Sequence, residues 1–179
     1  VEIVQFGPIV EYPDRFGPKL DDWPVNASAV EDLITSDDPV HAEAFQNMGS
    51  ATRGLPVVEY LLWTDTTDPL TALQTDSRRC EVLMGASRDI QYNASGIATT
   101  WRDDWIPRLS DPANATDDMY DTPQDVIDEW VNRMVFTVEN IRAKKLGKPI
   151  GDKANGNPQP DTIESRLSGR SLNDARDAL

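Results

Sequence analysis

The sequence predicts an all-α protein, an up-down helical bundle with long loops. Three observations carry that expectation. Apolar residues recur three and four residues apart in two long segments, Leu83–Trp105 and Ile127–Ile141, the pattern of helices that each bury one face. A shorter apolar segment, Arg53 to Trp63, shows helical spacing at Leu55, Val58 and Leu62. The connections between these segments are rich in Pro, Gly, Asn and Asp, which interrupt helices. The two long stripes are expected to face each other antiparallel, with the shorter helix packed against them.

In order along the chain, Val1 to Phe6 reads as the last turns of a helix, stopped by Gly7-Pro8. Residues 7–25, with Pro8, Pro13, Pro18 and Pro24, form a long irregular connection. Asn26 or Ser28 caps a short helix that turns Val30, Leu33 and Ile34 inward, and Asp37 or Asp38 caps another over 39–48. Gly54 and Pro56 open the next helix. Residues 64–76 are a loop with one turn at Leu70–Leu73. The long helix from Ser77 to Asp104 has Leu83, Ser87, Ile90, Ala94, Ile97, Trp101 and Trp105 as its seam, the two Trp at the wide end of the core. After a loop over 106–122, whose Asp117, Asp118 and Asp121 lack the spacing of an EF-hand, Thr122-Pro123-Gln124-Asp125 starts a helix running to Leu146. Ile127, Trp130, Met134, Val138 and Ile141 are its stripe, and Gly147 stops it. A Gly- and Pro-rich stretch to Pro160 leads to a polar segment and a final helix from Asn173.

The 179 residues suffice for one domain with a substantial core, and no apolar run approaches the ~20 residues of a membrane span. Net charge is −14, with 31 acidic against 17 basic side chains, which repels phosphate backbones and argues against nucleic acid as a partner. Lys144, Lys145 and Lys148 read as basic residues closing a helix. The single cysteine, Cys80, reads as a small core residue, and the single histidine, His41, as a surface residue that cannot build a His-rich metal site. The chain opens on Val1 without a charged leader or initiator Met and reads as a mature or excised segment.

Glu59 is the residue that demands an explanation. It follows Leu55 by four residues and so sits beside the apolar stripe, where a carboxylate needs a cation, a backbone donor or a metal. One reading is a buried Glu held by Arg53 or Arg79; the other is a ligand or catalytic carboxylate. Glu164, Ser165, Ser168 and Ser171 form a second polar cluster in a Gly-containing segment, either able to present donors to an anion or simply capping the next helix.

Gly54-Leu55-Pro56-Val57-Val58-Glu59-Tyr60-Leu61-Leu62-Trp63 resembles the signature helix of the imelysin family, bacterial extracytoplasmic proteins also described as insulin-cleaving membrane peptidases and linked to iron uptake. The Phe6-Gly7-Pro8 and Trp23-Pro24 pairs, Lys145-Leu146-Gly147 and Glu164-Ser165…Ser168-Gly169…Ser171 resemble further family stretches in the family's order. The resemblance implies an imelysin-type bundle over 1–179, with 1–146 as first-bundle helices and 147–179 as a link toward a second bundle. It implies a periplasmic or outer-membrane-associated protein, with lipoprotein anchoring within the family's range.

Family members with a proposed metal site carry Gly-x-His-x-x-Glu; here the His position is Pro56, which has no ligand atom, leaving Glu59 as the one candidate metal ligand, for iron or another divalent ion. The candidate cleft comprises Arg53, Glu59, Glu164, Ser165, Ser168 and Ser171. The expected function is a non-catalytic binding or interaction protein associated with iron uptake, its partner a metal ion, a peptide or an envelope protein. The alternative is a metallopeptidase using Glu59.

Overall fold

The structure, a computed structural model, describes residues 15–64, 68–114 and 119–177. Every regular element among them is helical. The expectations for residues 1–6 and for Asp117 and Asp118 fall outside the described residues. Helix α1 spans Phe16–Leu20 and α2 spans Ala27–Thr35. Asn26 caps α2 by accepting the Ala29 N–H at 3.2 Å, and Val30, Leu33 and Ile34 are buried as expected.

Helix α3, Ala42–Gln46, starts later than the sequence suggested, and its cap is His41, whose Nδ1 accepts the Ala44 N–H at 3.3 Å. Asp37 and Asp38 do not cap it because Arg78 donates to the Asp38 carbonyl, which a helix starting there would need for itself.

Helix α4, Leu55–Trp63, has Pro56 in its first turn and Gly54 before it at φ 78°. A side chain on Gly54 would collide with the Leu20 carbonyl, so glycine here lets α1 back directly onto the start of α4. Helix α5, Pro69–Thr75, is capped by Asp68 and is longer than the single turn expected. Helix α6, Ser77–Thr100, continues through a π-helical turn at 101–105 into α7, Ile106–Ser110.

Helix α8, Pro123–Asn140, opens with a reciprocal capping box between Thr122 and Asp125, so its first turn follows the sequence reading. It runs on as a π-helix over 141–147 into α9, Lys148–Ile150. Gly147 does not stop it: its φ of −65° is helical, and the terminator is Gly151 at φ 86°. Gly147 serves close approach instead, since a Cβ there would lie 2.7 Å from the Arg142 carbonyl. Helix α10, Ser171–Asp177, begins slightly before the expected Asn173.

Two apolar clusters hold these helices. The larger joins Val30, Leu33 and Ile34 of α2, Phe45 of α3, Val57, Tyr60 and Leu61 of α4, and Val82 and Ala86 of α6. The smaller joins Phe16, Trp105 and Tyr120, with Ile97, Trp101, Leu109 and Val126 against it, so Trp105 does fill the far end of the core.

The seam of α6 departs from the predicted one in part: Leu83, Ile97, Trp101 and Trp105 do pack on the two clusters, but the middle of the helix does not follow it. Its buried positions are Val82, Gly85, Ala86, Asp89 and Asn93, while Ser87 and Ala94 face solvent. The seam is turned by about one position because a carboxylate defines it. Asp89 is fully buried, and Arg53 grips it from the loop before α4, Nε to Oδ2 at 3.0 Å and Nη2 to Oδ1 at 2.5 Å. Asn93 donates to the same Oδ1 at 3.2 Å, and Arg53 Nη1 donates to the Gln46 carbonyl at 3.2 Å. Arg53 is thus committed to Asp89 and not to Glu59. Cys80 is exposed, on the outer side of the first turn of α6, because the true seam passes through Val82.

The expectation that the α6 and α8 stripes face each other fails. Ile127, Trp130, Met134 and Val138 are exposed, and only Ile141 of that stripe is buried. The side of α8 turned inward carries Thr137 and the half-buried Glu129–Arg133 pair, linked at 2.6 Å.

Removing one partner of a buried ion pair strands the other without water, a loss of roughly 3–5 kcal/mol. Asp89→Ala is expected to lower the unfolding free energy in urea by that order. Arg53→Met with Asp89→Leu, which removes both charges, should recover most of it. A loss for Asp89→Ala no larger than the ~1 kcal/mol of a surface pair would show that solvent reaches the carboxylate.

Candidate functional site

The chain from Gln159 to Arg170 crosses back over α4 as a strap, and three anchors fix it. At its start, the Gln159 N–H donates to the Pro149 carbonyl at 2.7 Å and the Trp23 indole Nε1–H to the Thr162 carbonyl at 3.1 Å. In its middle, Lys145 Nζ meets Glu164 Oε2 at 2.5 Å with both side chains buried, and the same ammonium lies 5.5 Å from the Trp23 ring centre. At its far end, Glu59 Oε1 accepts the Ser168 N–H at 2.8 Å and the Ser168 Oγ–H at 2.7 Å.

Local backbone makes this shape possible. Ser165 and Gly169 both adopt left-handed φ, 47° and 70°, folding the strap into tight turns that aim the Ser168 N–H at α4. The Arg170 N–H closes the turn on the Ser165 carbonyl at 3.2 Å, and Ser171 Oγ donates to the Glu164 carbonyl.

Between α4, the strap and residues 21–27 lies a groove of about 800 Å³. Its walls are apolar: Trp23, Pro24 and Val25 on one side, Leu55, Pro56, Val58, Leu62 and Trp63 along α4, and Ile163 and Leu167 on the strap. Trp63 is 50% exposed and Leu55 41%, an apolar surface facing open groove. The polar lining includes Glu59, Glu164, Ser165 and Ser168, with Arg166, Arg170, Asp161 and Asp174 at the rim. Arg166 is tied to Asp161 at 3.1 Å.

Of the residues singled out in the sequence, Glu59, Glu164, Ser165 and Ser168 come together on this groove. Ser171 supports it from behind through the Glu164 carbonyl. Arg53 is elsewhere, on Asp89. Arg79 does not hold Glu59 either: it donates to Glu31 Oε1 at 2.9 Å, an atom that also accepts the Tyr60 hydroxyl at 2.8 Å.

Sequence reasoning missed Lys145, Trp23, Asp89 and Glu31. For Lys145 a signal existed, because it continues the Val138–Ile141 spacing by four residues and so belongs to the stripe. The basic patch read at Lys144, Lys145 and Lys148 is accordingly divided, with Lys145 inward and the other two exposed.

The described residues do not fit a resident metal. No three His, Cys, Asp or Glu among them are grouped to hold one. Position 56 is proline, and one Glu59 oxygen already accepts two hydrogen bonds from Ser168.

The family whose description matches this chain is Imelysin, over residues 1–179, the full sequence. The chain belongs to the imelysin family. No curated protein and no solved structure matches it significantly. In this imelysin-family chain the signature helix and the Glu-Ser…Ser-Gly segment, far apart in sequence, are in direct contact through Glu59 and Ser168.

Burial, together with the hydrogen bond to Glu31, pushes the Tyr60 phenol up to about 12. An unfolded tyrosine titrates near 10. The folded phenol therefore keeps its proton where the unfolded one has lost it, so this contribution to stability is complete below pH ~10 and disappears as pH rises toward 12. Tyr60→Phe should flatten the decline of the urea midpoint across that window; an identical decline in both proteins would contradict it.

Glu59→Ala removes a charged acceptor from two donors and should destabilise by about 1–3 kcal/mol, whether or not iron or zinc is added. Faster hydrogen exchange at the Ser168 amide is the specific sign. A metal-dependent rise in melting temperature, lost in the variant without a fall in basal stability, would instead make Glu59 a ligand.

Proposed function

We propose that this chain is an extracytoplasmic binding protein of the bacterial envelope, acting in iron uptake or a related process, and that its ligand seats in the groove between α4 and the strap. The observation that carries the reading is the apolar wall of Leu55, Val58, Leu62 and Trp63, its two ends Leu55 and Trp63 exposed, beside a strap whose Ser168 and Glu164 are engaged by Glu59 and Lys145. Concave apolar walls with a few placed polar groups are the usual form of a ligand site. The walls favour a polypeptide segment, from an envelope protein or a free peptide, over a bare ion.

Peptide hydrolysis at Glu59 is the other reading. A metal-activated water needs about three protein ligands and one open coordination position. Glu59 is engaged by Ser168, and Pro56 supplies no ligand atom where the family motif has His, so the donor set favours binding over cleavage. Imelysin-family proteins are typically extracytoplasmic, and no helix among the described residues is long and apolar enough to cross a membrane. Both are compatible with a periplasmic or membrane-associated protein.

Tryptophan fluorescence titrations with a mixed oligopeptide library, ferric ion and zinc test the reading. Saturable binding of peptides is expected, weakened at least tenfold by Leu55→Asp, with no cleavage products. Binding indifferent to Leu55→Asp, or peptide cleavage abolished by Glu59→Gln and by a chelator, would overturn it.

A further inference from the structure

Leu55, Glu59 and Trp63 are spaced four residues apart and all line the groove, so α4 presents one row to it: an apolar side chain, a carboxylate and an indole. The Ser168 N–H and Oγ–H both go to Glu59 Oε1, and among the described residues nothing donates to Oε2. No Lys or Arg among them pairs with Glu59, and none lies over the Trp63 ring. The buried anchor of the strap shows what such a pair of groups holds. There the Lys145 ammonium meets the Glu164 carboxylate and lies 5.5 Å from the Trp23 ring centre. Glu59 and Trp63 offer the same carboxylate and indole to the open groove, with no cation of the described chain between them.

The charge of the groove agrees. Six carboxylates line it against two bases, Arg166 and Arg170, which pair with Asp161 at 3.1 Å and Asp174 at 3.9 Å. Even with Lys145 counted against Glu164, the lining stays negative, on a chain of net charge −14, and so attracts cations and repels anions. Spacing gives the form of the ligand. Leu55 and Glu59 are one helical step of four residues apart, about 6 Å along the axis. Alternate side chains of an extended chain point the same way and lie about 6.7 Å apart. An extended segment laid along α4 therefore matches Leu55 and Glu59 with two residues of its own that are two apart. We propose that the groove takes an extended polypeptide segment that sets an apolar side chain over Leu55 and, two residues away, a Lys or Arg on Glu59 Oε2 beside the Trp63 indole. This rests on the groove being a ligand site and specifies what it selects.

Calorimetric titration of the 179-residue chain with blocked pentapeptides of sequence Ala-Leu-Ala-X-Ala, X being Arg, Lys, Gln or Glu, tests this. The Arg and Lys peptides should bind roughly tenfold or more tightly than the Gln peptide, and the Glu peptide most weakly. Moving the Leu by one position should weaken the Arg peptide several-fold, because its side chain then leaves the α4 side. Glu59→Gln keeps an acceptor for Ser168 and removes the charge; with unchanged circular dichroism, it should cut the preference for Arg over Gln to within about twofold. The peptide series needs no substitution in the protein and decides even where that variant unfolds. Equal saturable binding of all four peptides would overturn the basic side chain and leave the groove as a peptide site. No saturable binding by any would overturn both. A charge preference undiminished in folded Glu59→Gln, or saturation by zinc ion alone that is lost in that variant, would also overturn the proposal.

Discussion

A carboxylate with no exposure to water sits midway along α6, and much of the fold is arranged to keep it satisfied. Asp89 is held by two nitrogens of Arg53 and by the Asn93 amide, and Arg53 also reaches the carbonyl of Gln46. A buried charge is tolerated only when paired and hydrogen-bonded on every side. That requirement turns α6 so that Val82, Ala86, Asp89 and Asn93 face inward. It also draws the turn ahead of α4 against α6, which sets where α4 begins and hence where Glu59 points.

From that start, α4 carries Tyr60 into the core and leaves Glu59 at the edge of the groove. The strap is then attached at two charged points of different character. Lys145 and Glu164 are buried, the Lys145 ammonium over the Trp23 ring, whereas the Glu59–Ser168 contact is half-buried and borders the groove. The enclosed pair determines where the strap runs. The outer contact determines how closely it lies on α4, and so how wide the groove is. Glu59 thereby acts on the shape of the groove through a serine over a hundred residues away in sequence.

The remaining tension in the molecule is between α6 and α8. Both have apolar residues at helical spacing, yet only α6 is packed by the described chain. The inward side of α8 is polar in its middle, with Glu129 paired to Arg133 and Thr137 buried, and apolar only at its ends, Val126 at one and Ile141 at the other. Helix formation does not require the burial of the apolar stripe, because the Thr122–Asp125 box secures the first turn and Gly151 the last.

What the sequence determined by itself is the local chemistry. Asn26, Thr122 with Asp125, and Pro56 after Gly54 marked helix starts correctly, because caps depend on residues within one turn. Apolar spacing also found α4, α6 and α8, and the family resemblance brought Glu59 together with the Glu164–Ser171 segment. Tertiary structure alone decided which faces pack. Asp89 lies outside the seam that spacing marks on α6, and its pair with Arg53 faces it inward where Ser87 and Ala94 were expected; Cys80 is left exposed. It decided as well that Glu59 accepts from Ser168 while Arg79 goes to Glu31, since charge partners distant in sequence leave no periodic trace. The stripe of α8 was legible as a stripe, but periodicity reports that a face is apolar and not what covers it.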